Sequence, residues 1–195
     1  MAMKKFTLEL SPVVGYTERT RVNIRESDVT LAIAKDFSTA GERLTSRCAH
    51  NCNKPIVKVP HKTPDFDYWV GAFVIVMNRA YKKIHKPLVL NGAGNGTYTL
   101  GESQQEADAF ALSFLQRALE SPDRKFEIAE VRSGGQTGYD VAIVKAAISL
   151  GIPARIHCAR ASGVYGYYMI RTADGFDKAY DRASYLEKVG INETD

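Results

Sequence analysis

Apolar residues along this chain switch between two spacings, and the switch predicts the elements. Val29-Thr30-Leu31-Ala32-Ile33-Ala34 is β-branched and nearly all apolar, the mark of a buried strand. Ile56-Val57-Lys58-Val59, closed by Pro60, predicts a second strand. Pro87-Leu88-Val89-Leu90, Phe126 to Val131 and Ala154-Arg155-Ile156-His157-Cys158-Ala159 predict three more. Between them apolar residues recur at steps of three and four. Trp69, Phe73, Val76, Met77 and Tyr81 place a helix over 67–85. Ala107, Phe110, Ala111, Phe114, Leu115 and Ala118 place another, which starts at Glu102 or Ser103 and ends near Ser121-Pro122. Val141, Ala142, Val144, Ala146, Ile148 and Leu150 place a third, stopped by Gly151 and Pro153. A helix from about Gly41 to Asn51 takes Ser38 or Thr39 as its N-cap. Residues 5–15 read as an edge strand ending at Ser11-Pro12. Residues 16–28 read as a short polar helix that touches the core through Val22 and Ile24. In the tail, Phe176, Tyr180, Ala183 and Leu186 have helical spacing over 176–189.

Strands and helices alternate throughout, which predicts an α/β fold: a mostly parallel sheet of five to seven strands with helices on both faces. One domain covers 1–195. It comprises a strand–helix–strand part (1–60), a joining helix (61–86) and a part with glycine-rich turns (87–195).

Composition adds little to this picture. The chain has 195 residues, 45% hydrophobic and 25% charged, as in ordinary globular domains. The net charge of +4 comes without a dense basic block, so an anionic small molecule suits it better than nucleic acid. No apolar run reaches the roughly 20 residues of a membrane span. Three cysteines, few and odd in number, predict a reducing, cytoplasmic setting.

The candidate chemistry lies in turns that follow strands. Val131-Arg132-Ser133-Gly134-Gly135-Gln136-Thr137-Gly138-Tyr139-Asp140 joins a strand to a helix. Gly134, Gly135 and Gly138 permit close approach of a ligand, and Ser133, Gln136 and Thr137 add donors. Helix N-termini present free N–H groups to phosphate. A second glycine-rich turn runs from Asn91 to Thr97 and includes Gly92, Gly94, Asn95, Gly96 and Thr97. A third, Ser38-Thr39-Ala40-Gly41-Glu42, follows the first buried strand. All three follow strands, so they gather at the carboxyl edge of the sheet, where open α/β sheets bind ligands. Glu42 and Asp140 are the carboxylates there, able to activate water or steady an oxocarbenium. Equally, Glu42 favours the helix dipole and Asp140 orders its loop without any catalysis. Arg19 and Asn23, four apart, share a helix face. Cys48, His50, Cys52 and His61 lack the knuckle spacing of a zinc site, so no metal is expected. Tyr165, Tyr167 and Tyr168 form an aromatic cluster suited to packing or to stacking on a base.

Ser133-Gly134-Gly135-Gln136-Thr137-Gly138-Tyr139-Asp140, with Leu150-Gly151-Ile152-Pro153, resembles the SGGQTGxD…LGIP signature of the molybdenum carrier family. That family belongs to the SLOG superfamily of Rossmann-like nucleotide-binding domains. Tyr16, Glu18, Arg19, Thr20, Asn23, Ser27-Asp28 and Thr30-Leu31 are similar to a second segment of the same family. There the SGGQTG segment comes first; here it comes second, so the chain resembles a circular permutant. Surface termini make such a rearrangement tolerable. The resemblance implies a nucleotide or NAD-derived phosphorylated ligand, such as ADP-ribose or cyclic ADP-ribose, held by a sensor or sequestering protein. It implies a homo-oligomer and no required cofactor. Two alternatives stay open. One is nucleoside-monophosphate N-glycosidase activity, as in the phosphoribohydrolase relatives, whose P-G-G-x-G-T-x-x-E turn is matched only loosely by Ser38 to Glu42. The other is carriage of a molybdenum cofactor or its pterin phosphate.

Overall fold

The computed structural model describes residues 6–163, 166, 168–172 and 174–192. In chain order the elements are β1 (Phe6–Val14), α1 (Tyr16–Arg25), β2 (Val29–Ala34), α2 (Ala40–Asn51), β3 (Ile56–Pro60), α3 (Phe66–Ile84), β4 (Leu88–Gly94), α4 (Thr97–Leu100), α5 (Gln104–Leu119), β5 (Ile128–Ser133), α6 (Tyr139–Ser149), β6 (Ala154–Arg160), β7 (Tyr168–Arg171), β8 (Asp177–Tyr180) and α7 (Arg182–Val189). The strands make one eight-stranded sheet. Six of them are parallel, in the spatial order β3-β2-β4-β5-β6-β1. β7 and β8 form an antiparallel hairpin, joined to β6 where Tyr168 pairs with Arg160. Val14 of β1 holds the other edge of Arg160. The hairpin therefore takes over the edge of β6 that β5 leaves after Ser133 pairs with Ile156.

Ile56 packs with one cluster of buried residues, Val57 and Val59 with another. Successive strand residues point to opposite faces, so helices cover both faces. The larger cluster holds α3, α5, α6 and α7 against the sheet through Phe73, Phe114, Phe126, Leu90, Val131, Ile143 and Tyr185. The smaller, under α1 and α2, is only Ile24, Cys48 and Ala49 with a rim of Leu44, Cys52 and Ile56. On that side β2 and β4 present Thr30 and Asn91, both buried. Too little apolar volume exists there to close the gap between helices and sheet, and a cavity fills it.

The structure differs from the sequence-based expectations in five places. The sheet has eight strands rather than five to seven, because the tail adds β7 and β8. β1 continues past Pro12 to Val14, with an irregular register between Leu10 and Val14. As an edge strand it tolerates the missing N–H of proline. β4 continues through Asn91-Gly92-Ala93-Gly94, which read as a turn. Gly92 is needed there because an added Cβ would lie 2.6 Å from the Ile143 side chain on α6. The tail is not one helix over 176–189. Asp177 to Tyr180 pairs with β7, and Asp181 caps a shorter α7 by accepting from Ser184 N. Finally, α4 interrupts the expected loop before Ser103, which caps α5 in a capping box with Glu106. Among the described residues, no helix is long and apolar enough to cross a membrane.

Candidate functional site

The cavity occupies about 560 Å³, within the usual range for small-molecule sites. It lies between α1, α2 and the carboxyl half of β4, and it opens at the sheet edge. Tyr16, Arg19, Thr20 and Asn23 supply the α1 wall, one helix face at steps of three and four. Thr39 to Glu42, Leu44 and Thr45 supply the α2 wall. Asn91 to Gly96 form the floor, and Tyr98, Thr99, Gln136, Asp140 and Arg171 complete the mouth.

The start of α2 is fixed by a chain of local bonds. Asn95 accepts from Lys35 N and Asp36 N, both at 2.9 Å, and donates to Asp36 O at 3.0 Å. Asp36 then accepts from Ser38 N at 2.7 Å, and Thr39 caps Glu42 N. This leaves the first N–H groups of α2, at Ala40 and Gly41, without intrahelical acceptors at the cavity wall. Asn95 thus shapes the wall as well as lining it. The Ser38 side chain is outside the wall.

Deep in the cavity Arg19 Nη1 pairs with Asp140 Oδ2 at 2.9 Å, both side chains nearly buried. Asp140 also accepts from Gln136 N at 3.4 Å. Burial pushes the Asp140 carboxyl upward, opposed by the Arg19 guanidinium and by the N–H groups of Gln136 and Gly94. Arg19 Nε is buried with no hydrogen-bond partner among the described residues. Glu42 is 4% exposed, and no described residue hydrogen-bonds its carboxylate. Burial, then the Asp140 charge, push it up to about 7, against smaller pulls from Lys58 and Arg19. Asn23 is 3% exposed, and its amide is likewise without a partner among the described residues. Unpaired polar groups are rare in closed cores because burying them is costly. Here they converge on an open cavity.

The glycine-rich turn after β5 has a different position from the one its sequence suggests. Of Ser133 to Asp140, only Gln136 and Asp140 line the cavity. Ser133 is buried in β5 and Thr137 bonds Arg171 O, with Thr97 Oγ1 at 3.1 Å. Gly138 N donates to Gln104 Oε1, and Tyr139 N donates to Asn95 O. The N-terminus of α6 is therefore closed by α5 and the loop after β4. Gly135 and Gly138 have φ of 71° and 98°, the left-handed region that favours glycine. Gly134 is small for another reason: an added Cβ would lie 1.0 Å from Arg19 Nη1. The turn serves the site indirectly, by seating the guanidinium against Asp140. Gly92, Gly94, Asn95 and Gly96 line the cavity, whereas Thr97 does not.

Several wall residues were not proposed as site residues from the sequence. Tyr16 donates to Asp177 Oδ1 at 2.8 Å, and Asp177 pairs with Arg171. The guanidinium carbons of Arg19 and Arg171 lie 5.7 and 6.0 Å from the Tyr16 ring centre. Burial and Asp177 raise the Tyr16 hydroxyl, which stays protonated. Tyr98 is 56% exposed at the mouth. Thr20, Thr45 and Asn91 add polar atoms. Two signals could have found them: Tyr16 and Thr20 stand in the family-like segment, and Tyr16, Thr20 and Thr45 sit one helical turn from Arg19, Asn23 or Glu42. Tyr165 and Tyr167 lie outside the described residues. Tyr168 is buried against Tyr185, with ring centres 5.0 Å apart. Among the described residues no group of His, Cys, Asp and Glu could hold a metal.

A mostly parallel sheet with helices on both faces and a cavity at its carboxyl edge defines a Rossmann-like fold. The model of the circularly permutated YpsA SLOG family matches residues 1–109, more than half of the 195, and the chain belongs to that family. The permuted order expected from the two motifs is thereby shown. The match covers the cavity wall from Tyr16 to Thr99; Gln136, Asp140 and Arg171 lie beyond it. No curated protein matches the chain. Membership of this family points to a nucleotide-related ligand.

Proposed function

We propose that the protein binds a nucleotide or NAD-derived phosphorylated ligand, of the ADP-ribose or cyclic ADP-ribose kind, as a sensor or sequestering protein. The observation that carries this is the set of unpartnered polar groups around one cavity: the Glu42 carboxylate, the Asn23 amide and Arg19 Nε. The free amides at the start of α2 suit a phosphate. Arg19 and Arg171 also line the cavity, each paired with an acid, Asp140 and Asp177. Tyr16 and Tyr98 at the mouth offer faces for a base. Asn23, Asn91 and Glu42 would then take ribose or base hydrogen bonds. We place the protein in the cytoplasm, because its three cysteines are free thiols.

One observation favours a second reading, hydrolysis of an N-glycosidic bond. A carboxyl held at about 7 is available both as acid and as base at neutral pH. Glu42 would take a proton from water as it attacks the anomeric carbon, and the C–N bonding pair would leave with the base. The test is incubation with nucleoside monophosphates, NAD, ADP-ribose, cyclic ADP-ribose and a pterin phosphate, followed by chromatography. An intact nucleotide recovered from the protein supports the binder. A free base with ribose phosphate, abolished in Glu42→Gln, supports the hydrolase. No bound nucleotide and no product would sink both.

A further inference from the structure

Glu42 lines the cavity at 4% exposure, and no described residue hydrogen-bonds its carboxylate. A buried carboxylate of this kind needs a cation or a proton. The cations that face it are engaged elsewhere. Arg19 of α1 donates to Asp140 at 2.9 Å. Lys58 of β3 stands over the Phe37 ring, 5.6 Å from its centre. The acids that face it, Asp140 of α6 and Asp36 of the loop before α2, both oppose a second negative charge. With no cation of its own, the side chain is left to hold a proton. Burial first, and then the Asp140 charge, push the carboxyl up to about 7, against smaller pulls from Lys58 and Arg19.

The two forms of this group recognise different chemistry. An ionised carboxylate only accepts, whereas the neutral acid sets one O–H donor beside one acceptor. Paired donors match the carboxylate: the two hydroxyls of a ribose, or the ring N–H and exocyclic amine of guanine. The edge of adenine, where a bare ring nitrogen stands beside an amine, matches the acid. A mismatched edge leaves a buried polar group unpaired, which is how such sites discriminate. Leu44 and Ala93, in the walls of the same cavity, give a ring apolar contact.

We propose that Glu42 recognises adenine as a neutral acid, donating its O–H to ring nitrogen N1 and accepting from the N6 amine. This deepens the nucleotide-binding reading above and rests on it. It makes Glu42 a specificity-determining residue and ties binding to its proton. The protonated form is the one that binds, so affinity is full at acid pH and falls as pH rises through neutrality. A phosphate or a ribose beside Glu42 would behave differently. The phosphate would be repelled by ionised Glu42 whichever base the nucleotide carried. The ribose would bind more tightly once Glu42 had ionised.

Titration calorimetry with ADP-ribose and GDP-ribose at pH 6 and pH 8 tests it, since neither ligand changes charge in that range. ADP-ribose should bind about tenfold more weakly at pH 8, and its binding there should take up about one proton, read from the heats in buffers of different ionisation enthalpy. GDP-ribose should bind more tightly at pH 8 than at pH 6. Glu42→Gln, whose amide keeps a donor beside an acceptor, should bind ADP-ribose with one constant at both pH values. Glu42→Leu, which has neither, should bind it roughly tenfold more weakly than the wild type at pH 6. Three results would overturn the proposal while leaving nucleotide binding in place. They are an ADP-ribose affinity indifferent to pH, one that rises with pH, and a GDP-ribose affinity that falls alongside it. Binding of neither nucleotide at either pH would overturn the nucleotide reading itself, and this proposal with it.

Discussion

Replacing Glu42 by Gln should stabilise the protein, and by an amount that depends on pH. The Glu42 carboxyl ordinarily titrates at 4.5 and is pushed up to about 7 in the fold. The folded state therefore holds this proton more tightly than the unfolded chain does. Between those two values unfolding releases the proton, so stability falls as pH rises, and it levels off above 7. At 1.36 kcal/mol per tenfold change, the full loss is about 3 kcal/mol. Gln keeps the shape of the protonated acid and carries no charge at any pH. Thermal unfolding of ligand-free Glu42→Gln and wild type should then coincide near pH 4.5. At pH 8 the variant should melt about 6–12 °C higher, the shift that about 3 kcal/mol gives in a chain of this size. Equal melting temperatures at pH 8, or a variant less stable there, would show that Glu42 is partnered or solvated in the fold. A group that destabilises its own fold is a mark of sites kept for function.

Other predictions concern the residues around Glu42. Arg19→Met leaves Asp140 buried without its cation and should cost about 3–5 kcal/mol in denaturant unfolding. The double variant R19M/D140N should recover part of that loss, since the neutral pair leaves no stranded charge. Gly134→Ala introduces a Cβ onto the Arg19 guanidinium. At a position whose φ is not left-handed, the alanine strains no backbone, so any loss of stability and nucleotide binding should track that of Arg19→Met.

The parallel sheet was legible because its strands are strongly apolar and its helices strongly periodic. Val29 to Ala34 and the stripe from Trp69 to Tyr81 announce themselves locally. The β7–β8 hairpin did not, because Phe176, Tyr180, Ala183 and Leu186 mimic a helical period while the pairing of Arg171 with Asp177 depends on a distant edge of β6. Glycines misled in both directions. Asn91 to Gly94 reads as a turn but is strand, since α6 presses on Gly92. Gly134, Gly135 and Gly138 read as a phosphate cradle, but their open space is taken by Arg19, Tyr185 and the Asn95-Gly96 backbone. Arg19, Asn23, Glu42 and Asp140 were picked out from the sequence, and the fold brings them to one cavity. Their burial was not legible, because it depends on how little apolar volume α1 and α2 share with the sheet.

The central claim, that this cavity is the ligand site, is tested most directly at Gly41. This residue is the second of α2 and lines the cavity, and an added Cβ meets nothing within 4 Å. Gly41→Phe should obstruct the cavity without straining the fold, and replacing glycine in a helix favours it by about 0.5 kcal/mol. Titration calorimetry with ADP-ribose should give a one-site isotherm for the wild type and none for Gly41→Phe, whose melting temperature should be no lower. Undiminished binding by Gly41→Phe would contradict the account and move the ligand elsewhere on the molecule.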